Sequence, residues 1–294
     1  MTIFTTYDAV GIKEDVSEKI SNISPTTTPF QTLIGSGKAK QRHFEWQEDE
    51  LAAPRDNAQV EGFTATDATL APTVLRDNYT QIFEKTIKIS ATEDAVDQHG
   101  RAKETAYQLV KASKELKRDV ERAYVGVDQG MSPGTSTAPR RTASAFSMID
   151  ASVIVDDGPA AALTEAMVLT AGQKAYDNGG EPSILMIKPG DSLRVAGFAN
   201  AAGRNRDIRN DTKLVNVVDL YVSPFGEYKV VLNRFILATA ALLFDPGMWE
   251  EKTLRPFTRE PLSKMGDNSM HMLVGEKGLA HKNFKACASI NGLL

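Results

Sequence analysis

Only one cysteine, Cys287, occurs among the 294 residues. No intrachain disulfide can therefore brace the fold, and a lone cysteine fits a reducing compartment. The opening residues, MTIFTTYDAVGIKEDV, have no basic segment followed by an apolar run, so they do not read as a secretory signal. The longest apolar stretch, FILATAALLF over 235–244, is too short to span a bilayer, and no membrane partner is expected. No internal repeat of fixed period occurs, which excludes solenoid and propeller arrays. Positive charge is not in excess either. With 34 Lys and Arg against 38 Asp and Glu the formal net charge is −4, unlike a dedicated nucleic-acid binder. The 41% hydrophobic and 24% charged fractions are ordinary for a globular protein, at a length near which single cores stop growing.

Catalytic signatures are missing as well. GSGKA over 35–39 resembles a phosphate loop only superficially: Ala39 follows the lysine where Ser or Thr is needed, and the first Gly of the pattern is missing. Flexible loop glycines are the better account. The four histidines, His43, His99, His271 and His281, share no metal-binding spacing, and Cys287 has no partner cysteine. No G-x-S-x-G elbow occurs. Glu45, Glu48, Asp49 and Glu50 form an acidic run, which could bind a divalent cation but more often marks a solvated face. No catalytic, cofactor-binding or metal residue is therefore expected. A metal-dependent α/β enzyme built near Glu48 is the one catalytic alternative. Basic clusters at Lys38, Lys40 and Arg42, at Arg140 and Arg141, and at Arg204, Arg206 and Arg209 lack interleaved aromatics. They do not form a base-stacking platform. They read as solvated loop charge, as partners of an acidic neighbouring subunit, or as contacts to packaged nucleic acid.

What the chain does have is an unusual arm. Residues 42–48, RHFEWQE, place Phe44 and Trp46 on one side of a short strand. In 76–90, RDNYTQIFEKTIKIS, strict alternation from Tyr79 reads as a half-buried strand. Between them lie almost thirty residues rich in Ala, Thr, Asp and Asn with one aromatic, Phe63. A structureless loop of that length inside a compact domain is improbable unless functional. Ordering it costs on the order of 30–60 kcal/mol of backbone entropy, which its own side chains bury too little surface to offset. As a hairpin of two legs the segment reaches ~50 Å. Either it stays disordered or neighbouring chains supply the missing contacts.

Around the arm the periodicities are conventional. An amphipathic helix is expected over 8–23, with Val16, Ile20 and Ile23 at helical spacing, before Pro25 and Pro29 break it. The strongest helical pattern covers 100–126. Its expected stripe is Ala102, Ala106, Leu109, Val110, Ser113, Leu116, Val120, Ala123 and Tyr124, with Lys111/Glu115 and Lys117/Glu121 as i,i+4 pairs. A strand is expected over 146–155 and a helix over 164–180, capped by Thr164 and stopped by glycine. ILMI at 184–187 reads as a buried strand, SLRVAGFAN as a helix, and 214–232 as a hairpin turning at PFGE. The rest, 234–294, reads as mostly extended. Strands and helices are segregated more than alternated, which favours α+β over a doubly wound sheet.

Residues 5–62, 76–90, 106–123, DLYVSPFGEYKVVLNRF at 219–235 and LRPFTREPLSKMGDN at 254–268 resemble, in order, the major capsid (major head) proteins of tailed double-stranded-DNA bacteriophages. The resemblance implies the Johnson fold: N-terminal arm 1–36, E-loop β-hairpin 37–91, peripheral domain 92–160 with its spine helix at 100–126, axial domain 161–233, and peripheral return strands 234–294. It implies a structural protein that assembles as pentamers and hexamers into the icosahedral head of a virion, built in the host cytoplasm. Implied partners are other copies of the chain, a portal protein, non-specifically contacted DNA and, as an option, a decoration protein. Because the recognisable arm begins within ten residues of Met1, a separate scaffolding protein is expected. Some relatives cross-link through an E-loop lysine; none lies between Asp49 and Asn78 here, so a non-covalent shell is expected. The candidates for inter-subunit contact are Phe44, Trp46, Arg55, Phe63, Arg76, Arg204, Arg206, Arg209 and Phe225. The alternative within the same fold is the shell of a cellular nanocompartment.

Overall fold

The computed structural model describes residues 27–65, 67–68, 70–96, 103–201 and 220–294. The helix expected over 8–23, Ala102 and the cluster of Arg204, Arg206 and Arg209 lie outside the described residues. The fold is α+β, with two main sheets and one separate two-stranded ribbon.

The first sheet runs in the order β1 (Gly35–Lys38), β10 (Trp249–Leu262), β11 (Asn268–His281), β4 (Gln81–Ser90). The glycines of GSGKA are therefore not a loose loop. They form β1, parallel to β10, because small residues let the two backbones and the Glu250 side chain approach closely. β4 keeps its alternation: Phe83 and Ile89 are buried on the odd face. The second sheet has the order β5 (Ile154–Ala161), β12 (Ala288–Leu293), β9 (Ala241–Phe244), β6 (Ile184–Ile187), β8 (Gly226–Leu232), β7 (Leu220–Ser223). β6 and β9 are buried at every position, as continuous apolar runs in a sheet centre should be. β7 and β8 form the expected hairpin at Pro224–Phe225.

One long excursion joins the sheets. β9 leads into β10 and β11 into β12, so the same pair of chain segments is antiparallel in both. At the crossing Trp249 faces His281 in register, with the ring centroids stacked 3.8 Å apart and Phe284 stacked on the imidazole at 5.4 Å. Trp249, His281 and Cys287 are fully buried. Burial pushes the His281 pKa down to about 3, so the ring is neutral, and its Nε2 lies 3.3 Å from the Cys287 sulfur.

α3 (Glu104–Glu121) packs along β4 and widens into a π-turn over Arg122–Gly126. Its buried side differs from the expected stripe. Ala112, Leu116, Val120, Glu121, Ala123 and Tyr124 are covered, while Ala106, Val110 and Ser113 face outward. The apolar pattern alone could not show that Glu121 points inward. Its carboxylate accepts hydrogen bonds from the backbone N–H of Phe30 (2.8 Å) and Gln31 (3.0 Å) and from the Asn233 amide (2.7 Å). Glu121 thus caps the short helix α1 (Pro29–Leu33) from a distance instead of pairing with Lys117, and burial raises its pKa against those bonds. Lys85, on β4, takes up Glu115 at 3.3 Å. Phe30 of α1 is fully buried among Tyr124, Phe244 and Trp249.

Two smaller expectations divide. Thr164 does cap α4 (Glu165–Asp177) by accepting from Met167 N–H, and Gly179 follows the helix at φ +77°. The strand expected from residue 146 begins only at Ile154. Two 3-10 turns, Phe146–Met148 and Ala151–Val153, precede it, the second capped by the Asp150 side chain.

Candidate assembly surface

The ribbon β2 (His43–Glu48) with β3 (Val74–Tyr79) is the root of the arm. The alternating run read as one strand from Tyr79 divides at Thr80: residues 74–79 pair with β2, and 81–90 pair with β11. Thr80 is the crossing point, its N–H donating to Arg42 O at 2.8 Å.

The root is held by buried polar groups. The Asn78 amide donates to Leu279 O (2.6 Å) and Thr142 Oγ1 (3.2 Å), and its oxygen accepts from Ala143 N–H and Tyr79 N–H (both 2.8 Å). All of its hydrogen-bonding capacity is used where no water reaches. Beside it Glu276 accepts from Thr80 Oγ1 (2.7 Å) and Arg255 Nε (3.2 Å) and forms an ion pair with Arg140. A buried carboxylate is tolerable only with such complete pairing. On the other face Arg76 donates to Glu48 (2.7 Å), lies over the Phe284 ring (4.3 Å), and Glu48 also accepts from Phe284 N–H (2.9 Å). Lys285 reaches Glu50 at 3.0 Å, a hydrogen bond that raises the lysine pKa. His43 bonds Asp77 at 2.7 Å. Phe44 and Trp46 stack on one side, with Trp46 against Phe284. Phe44 lies so close to Gly278 that any Cβ there would meet its ring at 2.8 Å.

Beyond the Glu50–Lys285 bond the described residues of the arm bury nothing against their own subunit. Every described residue from Asp49 to Leu75 is exposed. Leu51 is 94% exposed, Leu70 88%, Val60 77% and Phe63 56%, an unusual display for apolar side chains on one segment. At the tip Phe63 N–H bonds Val60 O (3.2 Å) and Gly62 has φ +81°, a turn needing positive φ at its third position.

The candidate contact residues therefore separate. Arg55 and Phe63 stand free on the arm, whereas Phe44, Trp46 and Arg76 are occupied within the root. Phe225 sits far away at the β7–β8 turn, half-buried against Tyr176. Asn78, Glu276 and Arg140 hold the root; of the three only Arg140 stood out in the sequence, as half of a basic pair with Arg141, and no local pattern marked Asn78 or Glu276. Among the described residues no three His, Cys, Asp or Glu side chains converge as metal ligands, and no helix is long and apolar enough to cross a membrane.

Comparison with known proteins agrees with this geometry. The family model for the SU10 major capsid protein matches residues 1–294. The major capsid protein of Escherichia phage Phieco32 is 32% identical, with 96% of this chain and 94% of that protein aligned. Among solved structures, the capsid of a native GTA particle superposes with TM-score 0.69 over 98% of both chains at 11% identity. Mycobacterium phage Bobi follows with TM-score 0.63 over 95% of both chains at 14% identity. The SrpI encapsulin of Synechococcus elongatus PCC 7942 reaches TM-score 0.64 over 96% of this chain and 92% of that one at 8% identity. At such identities these likenesses establish the fold alone.

Proposed function

The chain belongs to the SU10 major capsid protein family, and from that premise we propose that it works by assembly, as the repeated shell subunit of a tailed-phage head enclosing double-stranded DNA. The observation that carries the mechanism is the contrast between a locked root and an unsupported arm. A closed shell needs one chain to contact several copies of itself through different patches. An arm that buries nothing at home can be ordered by a neighbour, so its ordering cost falls on assembly. In this reading residues 37–91 act as the E-loop and 1–36 as an N-terminal arm, both overlapping adjacent subunits. Residues 161–233, with the β7–β8 turn and Phe225, lie near the axis of pentamers and hexamers. Residues 92–160 and 234–294 make the peripheral domain. Arg55 and Phe63 would contact a neighbour directly, and Arg204, Arg206 and Arg209 remain candidates for the same role.

The remaining partners follow from this role: a separate scaffolding protein, a portal protein, packaged DNA and an optional decoration protein, with assembly in the host cytoplasm. The arm residues between Asp49 and Asn78 contain no lysine, which supports a shell without covalent links through the arm. The likeness to the SrpI encapsulin is consistent with the compartment-shell alternative, while the capsid family match favours the phage reading. Deleting residues 52–75 tests the mechanism. The expected result is a folded subunit that no longer forms closed particles in electron micrographs. Closed particles from the deleted chain overturn the arm's role, and particles filled with protein in place of DNA favour the compartment.

A further inference from the structure

Beside the arm root an open groove runs between β4, the end of α3 and the loop over residues 132–141. Two adjoining cavities of ≈ 330 and ≈ 650 Å³ share Ile82, Pro139 and Arg140. Its floor carries an exposed apolar spot. Ile82, near the start of β4, is 51% exposed, and Pro139 beside it is exposed as well. The rim is basic. Arg42, Arg122 and Arg141 are exposed and have no carboxylate within ion-pair distance among the described residues, whereas Arg140 is already taken by Glu276. Among the described residues Asp119 is the one acid on the lining.

The tip of the arm has the opposite character. Its turn places Val60 and Phe63 on either side of Glu61, and residues 51–75 hold three carboxylates (Asp56, Glu61, Asp67) against one arginine (Arg55). Two exposed apolar side chains flanking an acid match the exposed Ile82 and Pro139 beneath unpaired arginines. The tip is about 14 residues from Glu48, a reach of roughly 46 Å in extended chain, which suffices to cross a neighbouring subunit. Resting on the shell-subunit reading above, we propose that this groove receives the Val60–Phe63 turn of a second copy of the chain. Phe63 seats against Ile82 and Pro139, and Glu61 pairs with Arg122 or Arg141.

The test joins Phe63→Cys with Ile82→Cys in the full chain. Shells assembled from the double variant and treated with a mild oxidant should run as disulfide-linked multimers on a non-reducing denaturing gel. Each single variant should run as monomer, since Cys287 is buried. Monomers alone from assembled double-variant shells overturn the assignment. Where the cysteine pair blocks assembly, a charge exchange decides. Glu61→Arg should lower particle yield several-fold, and Arg122→Glu or Arg141→Glu should restore it; failure of both to restore it overturns the pairing. The 52–75 deletion separates the levels. Loss of particles on deletion without cross-linking here refutes the groove and leaves the arm's role standing.

Discussion

The arm beyond Glu48 and the junction beneath it are adjacent in sequence and opposite in physics. From Asp49 to Leu75 the described residues are all exposed, while a few positions on, Asn78 and Thr80 are fully buried. The junction obtains its order from its own subunit, through saturated hydrogen bonds and the Trp249–His281–Phe284 stack. The stretch from Asp49 to Leu75 offers six large exposed apolar side chains and a tight turn but no surface to bury them on. Stability and assembly are thus carried by separate parts of one chain, and substitutions should sort accordingly.

The largest loss is expected for Trp249→Ala. It empties the volume between Phe30 and His281 and should lower the stability of the unassembled subunit by about 3–5 kcal/mol in urea denaturation. A loss below about 1 kcal/mol would mean the crossing does not hold the sheets together. Acid comes next. His281 is neutral in the fold, with a pKa of about 3 against an ordinary 6.5, so the unfolded chain binds the extra proton. Its contribution is intact above pH 6.5 and falls by about 1.4 kcal/mol per pH unit as pH drops from 6.5 towards 3. His281→Phe keeps a planar ring in the stack and should flatten the stability–pH curve by that slope. Equal slopes for the two proteins would contradict a buried neutral imidazole.

Asn78→Ala strands the Leu279 carbonyl and the Ala143 N–H without partners, so a loss of about 2–3 kcal/mol is expected. Hydrogen exchange should speed up at the arm root before the rest of the subunit. The smallest effect belongs to the arm. Leu51→Ala or Leu70→Ala should change subunit stability by less than about 0.5 kcal/mol while reducing particle yield. A larger stability change for either would show that the arm is packed at home and erase the contrast.

Much of this division was legible in the sequence because composition states it directly. Residues 49–75 are poor in core-forming side chains, too few to fold the segment by burial among themselves. The alternation from Tyr79, the ILMI run, the Thr164 cap and the PFGE turn likewise depend on local rules. The failures share a cause. The phase of α3, the strand formed by GSGKA and the partner of Glu121 depend on what lies opposite in space: β4, β10 and Phe30. The run from Tyr79 to Ser90 looked like one strand because alternation does not register a change of partner at Thr80.

By itself, then, the sequence determined the class of the fold, the presence of an arm that cannot fold alone and the family resemblance, since all three rest on composition and local pattern. Only the tertiary structure decided where that arm is rooted. Asn78, Arg140 and Glu276 come from three separate stretches of the chain, and a buried polar group reveals its purpose only when its partners surround it.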